Sequence, residues 1–123
     1  MNDFYYRKLE VYHIARSLVV DVYRYCNTFP VNETRVLCAQ LQRAAISVPS
    51  NIAEGLSRFS IRERIHFLEI SYGSLMEVMC QIEISHSLNY INDGDLQMMD
   101  DKIARIARML SGLRSSLEKK QSN

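Results

Sequence analysis

The chain has few of the residues that form tight turns, with 4 glycines and 2 prolines among 123 residues, and it has no tryptophan. A fold of many strands needs turn residues at each connection, so this scarcity argues against one. Net charge is also small, because 15 Lys and Arg face 14 Asp and Glu, for a formal charge of +1. Any basic surface must therefore come from segregation of charges rather than from their sum.

The chain also lacks the cysteine spacings that hold zinc or exchange thiols. Cys26, Cys38 and Cys80 are odd in number, far apart and without a C-x-x-C pair, which is typical of a reduced compartment. Charged residues interrupt the apolar residues near the N-terminus, which excludes a signal-peptide core and a membrane span there. We therefore expect a cytoplasmic protein with no membrane partner.

What the chain does have is helical periodicity. Apolar residues recur at steps of three and four through four stretches, which predicts helices over about 4–28, 33–55 with a kink at Pro49, 61–90 and 94–117. Asn32, Ser60 with Glu63, and Asn92 are the expected N-terminal caps, and Gly55 is expected to end its helix in a left-handed conformation. Short links join antiparallel neighbours, so we predict an all-α fold: one domain, 1–123, an antiparallel up-down-up-down four-helix bundle.

Helices one and three carry two apolar rows each. Tyr12, Ala15, Val19, Val22 and Cys26, with Ile65, Leu68, Tyr72, Leu75, Met79 and Ile82, are the predicted core rows. The second rows are candidate oligomer-interface residues: Val11, Ile14, Leu18, Tyr25, Phe67, Ile70 and Ile84. A wide core face is the alternative explanation, but contiguous apolar patches favour a homo-oligomer.

The segment from Leu41 to Gly55 is the most unusual of the chain. Pro49 inside a helix costs about 3 kcal/mol, because it removes a donor and crowds the preceding turn. Close packing by small residues, or hydrogen bonds to Ser47, Asn51 and Glu54, must offset that cost. The sequence therefore predicts a kinked helix with a polar network, made either between helices or between protomers.

Three Glu-x-x-His pairs, Glu10/His13, Glu63/His66 and Glu83/His86, have the spacing used by ferritin-like di-metal bundles. Their helical register places the first two away from the bundle axis, and the third lies too far along its helix to join them. Cys26 belongs to the core row, Cys38 and Cys80 have no histidine at helical spacing as a base, and no serine sits in a strand-turn-helix elbow. We accordingly expect no metal, no cofactor and no enzymatic activity, with a ferritin-like metal site as the weaker alternative.

The last helix carries a basic row. Lys102, Arg105 and Arg108 follow i, i+3, i+6 spacing. With three further cations, the candidate nucleic-acid contacts are Lys102, Arg105, Arg108, Arg114, Lys119 and Lys120. The alternative is a solvated face whose acidic start and basic end match the helix dipole.

Several motifs along the chain resemble those of one protein family. Phe29-Pro30, the run from Leu37 to Gly55 with its Asn-Ile-Ala-Glu-Gly end, Ser74-Leu75-x-Glu77 and Met109-Leu110-x-Gly112-Leu113 are similar to the four-helix-bundle proteins of ribosomal RNA intervening sequences. That family includes the accessory variability proteins of diversity-generating retroelements. The matching motif positions, which we interpret as a structural network, are Arg43, Ser47, Asn51, Glu54, Gly55, Ser74 and Glu77.

The resemblance implies a homopentamer that binds RNA or DNA and partners a reverse transcriptase or another protein. The function predicted from the sequence is thus a non-enzymatic, homo-oligomeric accessory protein associated with nucleic acid. A protein-interaction scaffold without a nucleic-acid role remains the alternative.

Overall fold

The computed structural model describes residues 1–122 and contains four helices and, within that range, no strand. The helices are α1 (Glu10–Cys26), α2 (Leu37–Gly55), α3 (Ile61–Ser87) and α4 (Asp93–Ser122). Two short 3-10 helices, Tyr5–Lys8 and Val31–Glu33, precede α1 and α2. The predicted all-α fold is confirmed.

Contacts between the helices show that neighbours along the chain run antiparallel. The end of α1 meets the start of α2, where the Cys38 thiol donates to the carbonyl of Cys26 over 3.8 Å. The N-terminal half of α3 meets the C-terminal half of α4 through an ion pair of Glu69 with Arg114 at 2.9 Å. Tyr25 near the end of α1 reaches Asp95 at the start of α4 and closes the ring of four. The result is a four-helix bundle.

The core row of α1 agrees with the predicted one at Ala15, Val22 and Cys26 and differs from it at two positions. Val11, Ala15, Leu18, Val22 and Cys26 are buried, whereas Tyr12 and Val19 lie half-buried at its border. Both sets of residues recur at steps of three and four. The set that faces the core contains Val11 and Leu18, and it leaves Tyr12 at the border of the core, a position that suits an amphipathic tyrosine. The predicted core row was therefore wrong at these two positions.

The core of α3 contains polar residues that periodicity could not reveal. Ser71, Gln81 and Ser85 are buried beside Leu75 and Ile82. Tyr72, predicted to be in the core, is 38% exposed. Buried hydroxyls need partners, and Ser85 satisfies its own by donating to the carbonyl of Gln81 at 2.8 Å.

Several helix ends differ from prediction. The first helix begins at Glu10 instead of residue 4, because Leu9 is extended. The second begins at Leu37 instead of residue 33; Asn32 lies in the preceding 3-10 helix, so the Asn32 cap was wrong. The fourth begins at Asp93 and continues to Ser122, beyond the predicted end at 117.

Two predicted caps are present. The Ser60 hydroxyl accepts the N–H of Glu63 at 3.3 Å, and the Asn92 side-chain oxygen accepts the N–H of Asp95 at 2.7 Å. α3 ends at 87 instead of 90, because Asn89 takes a left-handed conformation with φ of 64°. The N–H of Tyr90 then donates to the carbonyl of Ser85, a Schellman-type end.

Gly55 has a different role from the predicted one. No glycine in the described chain has a positive φ, so the left-handed end expected at Gly55 was wrong. A Cβ placed on Gly55 would lie 2.5 Å from the Cβ of Phe67, far inside van der Waals contact. Glycine is required there because α2 and α3 approach each other closely, as in other close backbone contacts.

Candidate interaction surfaces

A polar network joins α2 to α3 inside one chain. The hydroxyls of Ser47 and Ser74 hydrogen-bond at 2.8 Å. The Asn51 amide donates to both the carbonyl and the hydroxyl of Ser47, at 2.8 Å each. Three of the motif residues predicted to form a network therefore contact one another, between helices of the same protomer.

A buried hydroxyl strengthens the backbone at Pro49. Ser71 of α3 donates to the carbonyl of Val48 at 2.9 Å, immediately before the proline. Ala44 and Ala45 are buried on the same helix and leave room for close packing. The helix continues through Pro49, next to this hydrogen bond and to the small residues, whereas the Glu54 carboxylate pairs with Arg58 instead.

Other motif residues lie outside this network. Glu54 pairs with Arg58 at 3.0 Å on the surface. Arg43 and Glu77 are exposed, and neither forms an ion pair with another described residue. Their side chains contribute nothing visible to the fold of one protomer.

The candidate interface residues divide into those that pack inside the protomer and those that remain on its surface. Val11 and Leu18 are 4% and 0% exposed inside the bundle, so assigning them to an oligomer interface was wrong. Ile14 packs against the core, and Phe67 packs on Gly55. Ile70 and Ile84 remain available on the outer side of α3, at 39% and 45% exposed.

Tyr25, also a candidate interface residue, is engaged within the protomer. Its hydroxyl donates to Asp95 at 3.3 Å. Burial, together with the nearby Asp95 and Asp21 carboxylates, raises the pKa of Tyr25 from 10.0 to about 12. A neutral hydroxyl that bridges α1 and α4 explains its conformation without a second copy.

An apolar groove that the sequence did not reveal runs between α1 and α2. Its volume is about 410 Å³. It is lined by Tyr12, Arg16, Val19, Val20, Ile46, Pro49, Ser50 and Ala53. Val20 and Ile46 are 47% and 43% exposed at its rim. Sequence reasoning missed it because Tyr12 and Val19 were assigned to the core.

Three of the six predicted nucleic-acid contacts on α4 form ion pairs within the chain. Lys102 lies 2.5 Å from Asp21, Arg114 lies 2.9 Å from Glu69, and Arg105 pairs with Glu10. Arg108, Lys119 and Lys120 form no ion pair with another described residue. The row on α4 is therefore a weaker phosphate-binding surface than the sequence predicted.

Charge is instead segregated along the bundle axis. The contacts of Ser47 with Ser74 and of Ser17 with Lys102 mark the middle of the bundle. One half, which we call the basic half, comprises residues 1–17, 48–73 and 104–122. Its cations are Arg7, Lys8, Arg16, Arg58, Arg62, Arg64, Arg105, Arg108, Arg114, Lys119 and Lys120, and its carboxylates are Asp3, Glu10, Glu54, Glu63, Glu69 and Glu118.

The other half, residues 18–47 and 74–103, has the opposite sign. It contains the remaining 4 of the 15 cations and 8 of the 14 carboxylates. Its cations are Arg24, Arg35, Arg43 and Lys102. A formal charge of +1 therefore conceals a difference of nine charges between the ends, with +5 on the basic half and −4 on the other.

Aromatic rings accompany the cations at the basic end. The Arg7 guanidinium lies 4.7 Å from the ring centre of Phe4, and that of Arg16 lies 5.7 Å from the ring of Tyr12. Tyr6 meets Tyr12 edge to face at 4.8 Å. Arginine and aromatic side chains placed side by side are the groups that surfaces for single-stranded nucleic acid combine.

The side chains capable of metal binding or nucleophilic chemistry lie apart from one another. Among residues 1–122 no three His, Cys, Asp or Glu side chains cluster as metal ligands. His13 contacts the carbonyl of Arg7, and His86 contacts Asp93, each at 2.6 Å. Burial and the neighbouring Cys38 raise the pKa of Cys26 to about 12, which disfavours its nucleophilic thiolate.

No helix within the described range is both long enough and apolar enough to cross a membrane.

These features define a class: an antiparallel four-helix bundle with a close α2–α3 pair and axial charge segregation. The family model described as 23S rRNA-intervening sequence protein matches residues 7–112, and the chain belongs to that family. The crystal structure of a protein of unknown function from the S23 ribosomal protein family of Bacteroides thetaiotaomicron is similar in fold. It has a TM-score of 0.76 at 21% identity, over 85% of this chain and 97% of that one. A search of curated proteins gave no significant match.

Proposed function

We propose that this protein is a non-enzymatic, self-associating accessory protein of the cytoplasm that binds the phosphate backbone of RNA or DNA through its basic half. The observation that carries the proposal is the axial segregation of charge, with eleven cations against six carboxylates in one half. The family description names 23S rRNA, so a structured RNA is the first nucleic acid to test.

Phosphate contact is the mode of binding that this surface supports best. Each phosphate neutralised by Lys or Arg releases condensed counterions, so a cluster of cations binds without a groove-reading motif. Arg108, Lys119 and Lys120 are available because none pairs with a described carboxylate. Such contacts position a protein on nucleic acid but read little sequence.

Self-association is supported by apolar surface that one protomer leaves exposed. Val20 and Ile46 border the groove between α1 and α2, and Ile70 and Ile84 lie on α3. Five copies, and a reverse transcriptase or another protein as partner, are predictions from the family resemblance. Light scattering over a range of concentrations tests assembly, and a single subunit at every concentration would contradict it.

The nucleic-acid proposal is tested by fluorescence anisotropy with a structured RNA at two salt concentrations. Arg108→Gln with Lys119→Gln should weaken binding and reduce the salt slope by about one unit for each phosphate that the variant no longer neutralises. Arg24→Gln with Arg35→Gln removes equal charge from the opposite half and should change little. No binding at low salt, or equally weakened binding in both variants, would contradict the proposal.

A protein-interaction scaffold is the second candidate, and the apolar groove is the observation that favours it. Assembly that persists without any RNA or DNA binding at low salt would support this alternative over the first.

A further inference from the structure

We infer that copies of this chain join head to tail, with the outer face of α3 of one copy docked in the α1–α2 groove of the next. The outer face of α3 is defined here by Ile70, Gly73, Glu77, Cys80 and Ile84. The inference rests on the self-association proposed above and names the two surfaces that meet.

The groove is a suitable receptor because it is concave and mostly apolar. Val20 and Ile46 stand exposed on its two walls, and Pro49 and Ala53 form much of its floor. Burying an apolar surface of this kind against another contributes roughly 25 cal/mol per Å².

Gly73 makes the outer face of α3 suitable for docking in the α1–α2 groove. A Cβ on Gly73 would meet no other described atom within 4 Å, so the protomer has no steric need for glycine there. Glycine inside a helix is nonetheless unfavourable. A second surface can approach closely at such a glycine, as α3 does at Gly55, where a Cβ would lie 2.5 Å from Phe67. Gly112 is equally open, so charge and height distinguish the Gly73 face from it.

The two surfaces carry opposite charge. From residue 65 to 92, α3 and its following turn contain Glu69, Glu77 and Glu83 but no Lys or Arg. Arg16 lines the groove and Arg43 stands beside it on α2. Arg16, Arg43, Glu77 and Glu83 form no ion pair within the described chain, which leaves them available across an interface.

The outer face of α3 and the α1–α2 groove also lie at matching heights along the bundle axis. Ser74 contacts Ser47, so Gly73 lies level with the groove at Pro49. Gln81 contacts Gln40, which places Glu77 between these pairs and close to the level of Arg43. A rotation about an axis parallel to the helices preserves height, and therefore brings Gly73 to the groove and Glu77 to Arg43.

The same rotation gives the assembly its shape. The contact uses two different surfaces on either side of α2, so it is heterologous, and copies related by a rotation that divides a full turn close into a ring. All basic halves then lie at one end of the ring.

The first test uses two matched glycines. Gly73→Arg should raise the concentration for half-assembly about tenfold or more, because the side chain occupies the docking surface. Gly112→Arg is the control, since Gly112 is also helical and has no other described atom within 4 Å of a built Cβ. Both variants should fold, with far-ultraviolet circular dichroism spectra like that of the wild type, while Gly73→Arg alone loses the stabilisation that assembly provides. Equal assembly of the two would overturn the inference.

The second test uses the natural thiols. Cys80 is exposed, whereas Cys26 and Cys38 are buried, so a short bismaleimide reacts only with Cys80. Tyr23→Cys adds a thiol on the α2 side of α1, about level with Cys80, and should give a ladder of covalent multimers. Met98→Cys, exposed on α4, should give none, and neither should Tyr23→Cys with Cys80→Ser.

Failure of the inference is distinct from failure of the proposed function. Cross-linked dimers of the wild type through Cys80 would indicate an α3-to-α3 contact, and would overturn the head-to-tail arrangement while self-association stands. An oligomer by light scattering without a Tyr23→Cys ladder would overturn it as well. A monomer at every concentration would overturn both.

Discussion

Gly55, the last residue of α2, and Gly112, inside α4, lie in opposite surroundings. A Cβ on Gly55 would clash with Phe67, whereas one on Gly112 would meet no other described atom within 4 Å. The sequence predicts a helix end at Gly55 but not the close contact there, because what lies opposite a glycine depends on the partner helix. The spacing of α2 and α3 is therefore set by a residue whose role local sequence could not reveal.

Replacing Gly55 with Ala should destabilise the protein, because the added Cβ forces α3 away from α2. We expect a loss of about 1–3 kcal/mol, typical of overpacking in a tight core. Gly112→Ala should gain up to about 1 kcal/mol from helix propensity alone. Urea unfolding monitored by circular dichroism compares them, and a stable Gly55→Ala protein would contradict the close-packing explanation.

Asn51 should matter more for stability than a surface ion pair. Asn51→Leu removes both hydrogen bonds to Ser47 and should cost about 1–2 kcal/mol. Arg114→Ala breaks exposed pairs with Glu69 and Glu118 and should cost less than about 1 kcal/mol. Thermal melts of the two variants measure this, and equal melting temperatures would count against the network.

Tyr25 should make the fold sensitive to alkaline pH. Because its folded pKa is raised from 10.0 to about 12, the folded state keeps a proton that the unfolded state loses first. This contribution to stability is complete below pH 10 and is lost as pH rises towards 12. Unfolding free energies between pH 9 and 12 should therefore fall less steeply in Tyr25→Phe than in the wild type, with exposed Tyr23→Phe as the control.

At the scale of elements, the end of α3 depends on one left-handed residue. Asn89 has a φ of 64°, so Asn89→Gly should keep or slightly raise stability while Asn89→Ala should lose about 1 kcal/mol. Guanidinium unfolding of both variants measures the difference. The Ala variant matching the Gly variant would indicate that the turn does not require this conformation.

The sequence predicted the helices and two of their caps, because apolar rhythm and capping chemistry are local. It failed at Tyr12, where two sets of residues fit the rhythm equally. It also missed buried Ser71, whose burial depends on the carbonyl of Val48 in another helix. Local patterns thus predict which segments are helical, and tertiary contacts decide which face turns inward.

At the scale of the whole molecule, charge segregation could not be predicted one helix at a time. Lys102 looked like part of a basic row, yet Asp21 of α1 neutralises it. Conversely, Arg7, Arg62 and Lys119 come from three distant segments that share the basic half. Their grouping follows only from the antiparallel pairing of the helices.

A ring that presents every basic half at one end should bind nucleic acid by multivalency. Gly73→Arg keeps the cations of each protomer and adds one, so charge alone predicts equal or tighter binding. If assembly matters, its affinity for a long structured RNA should nevertheless fall by about 10²-fold, because separate subunits lose effective concentration. Anisotropy below the assembly concentration of the variant measures this. A short RNA that spans one protomer should show little difference, since one basic half then makes all the contacts.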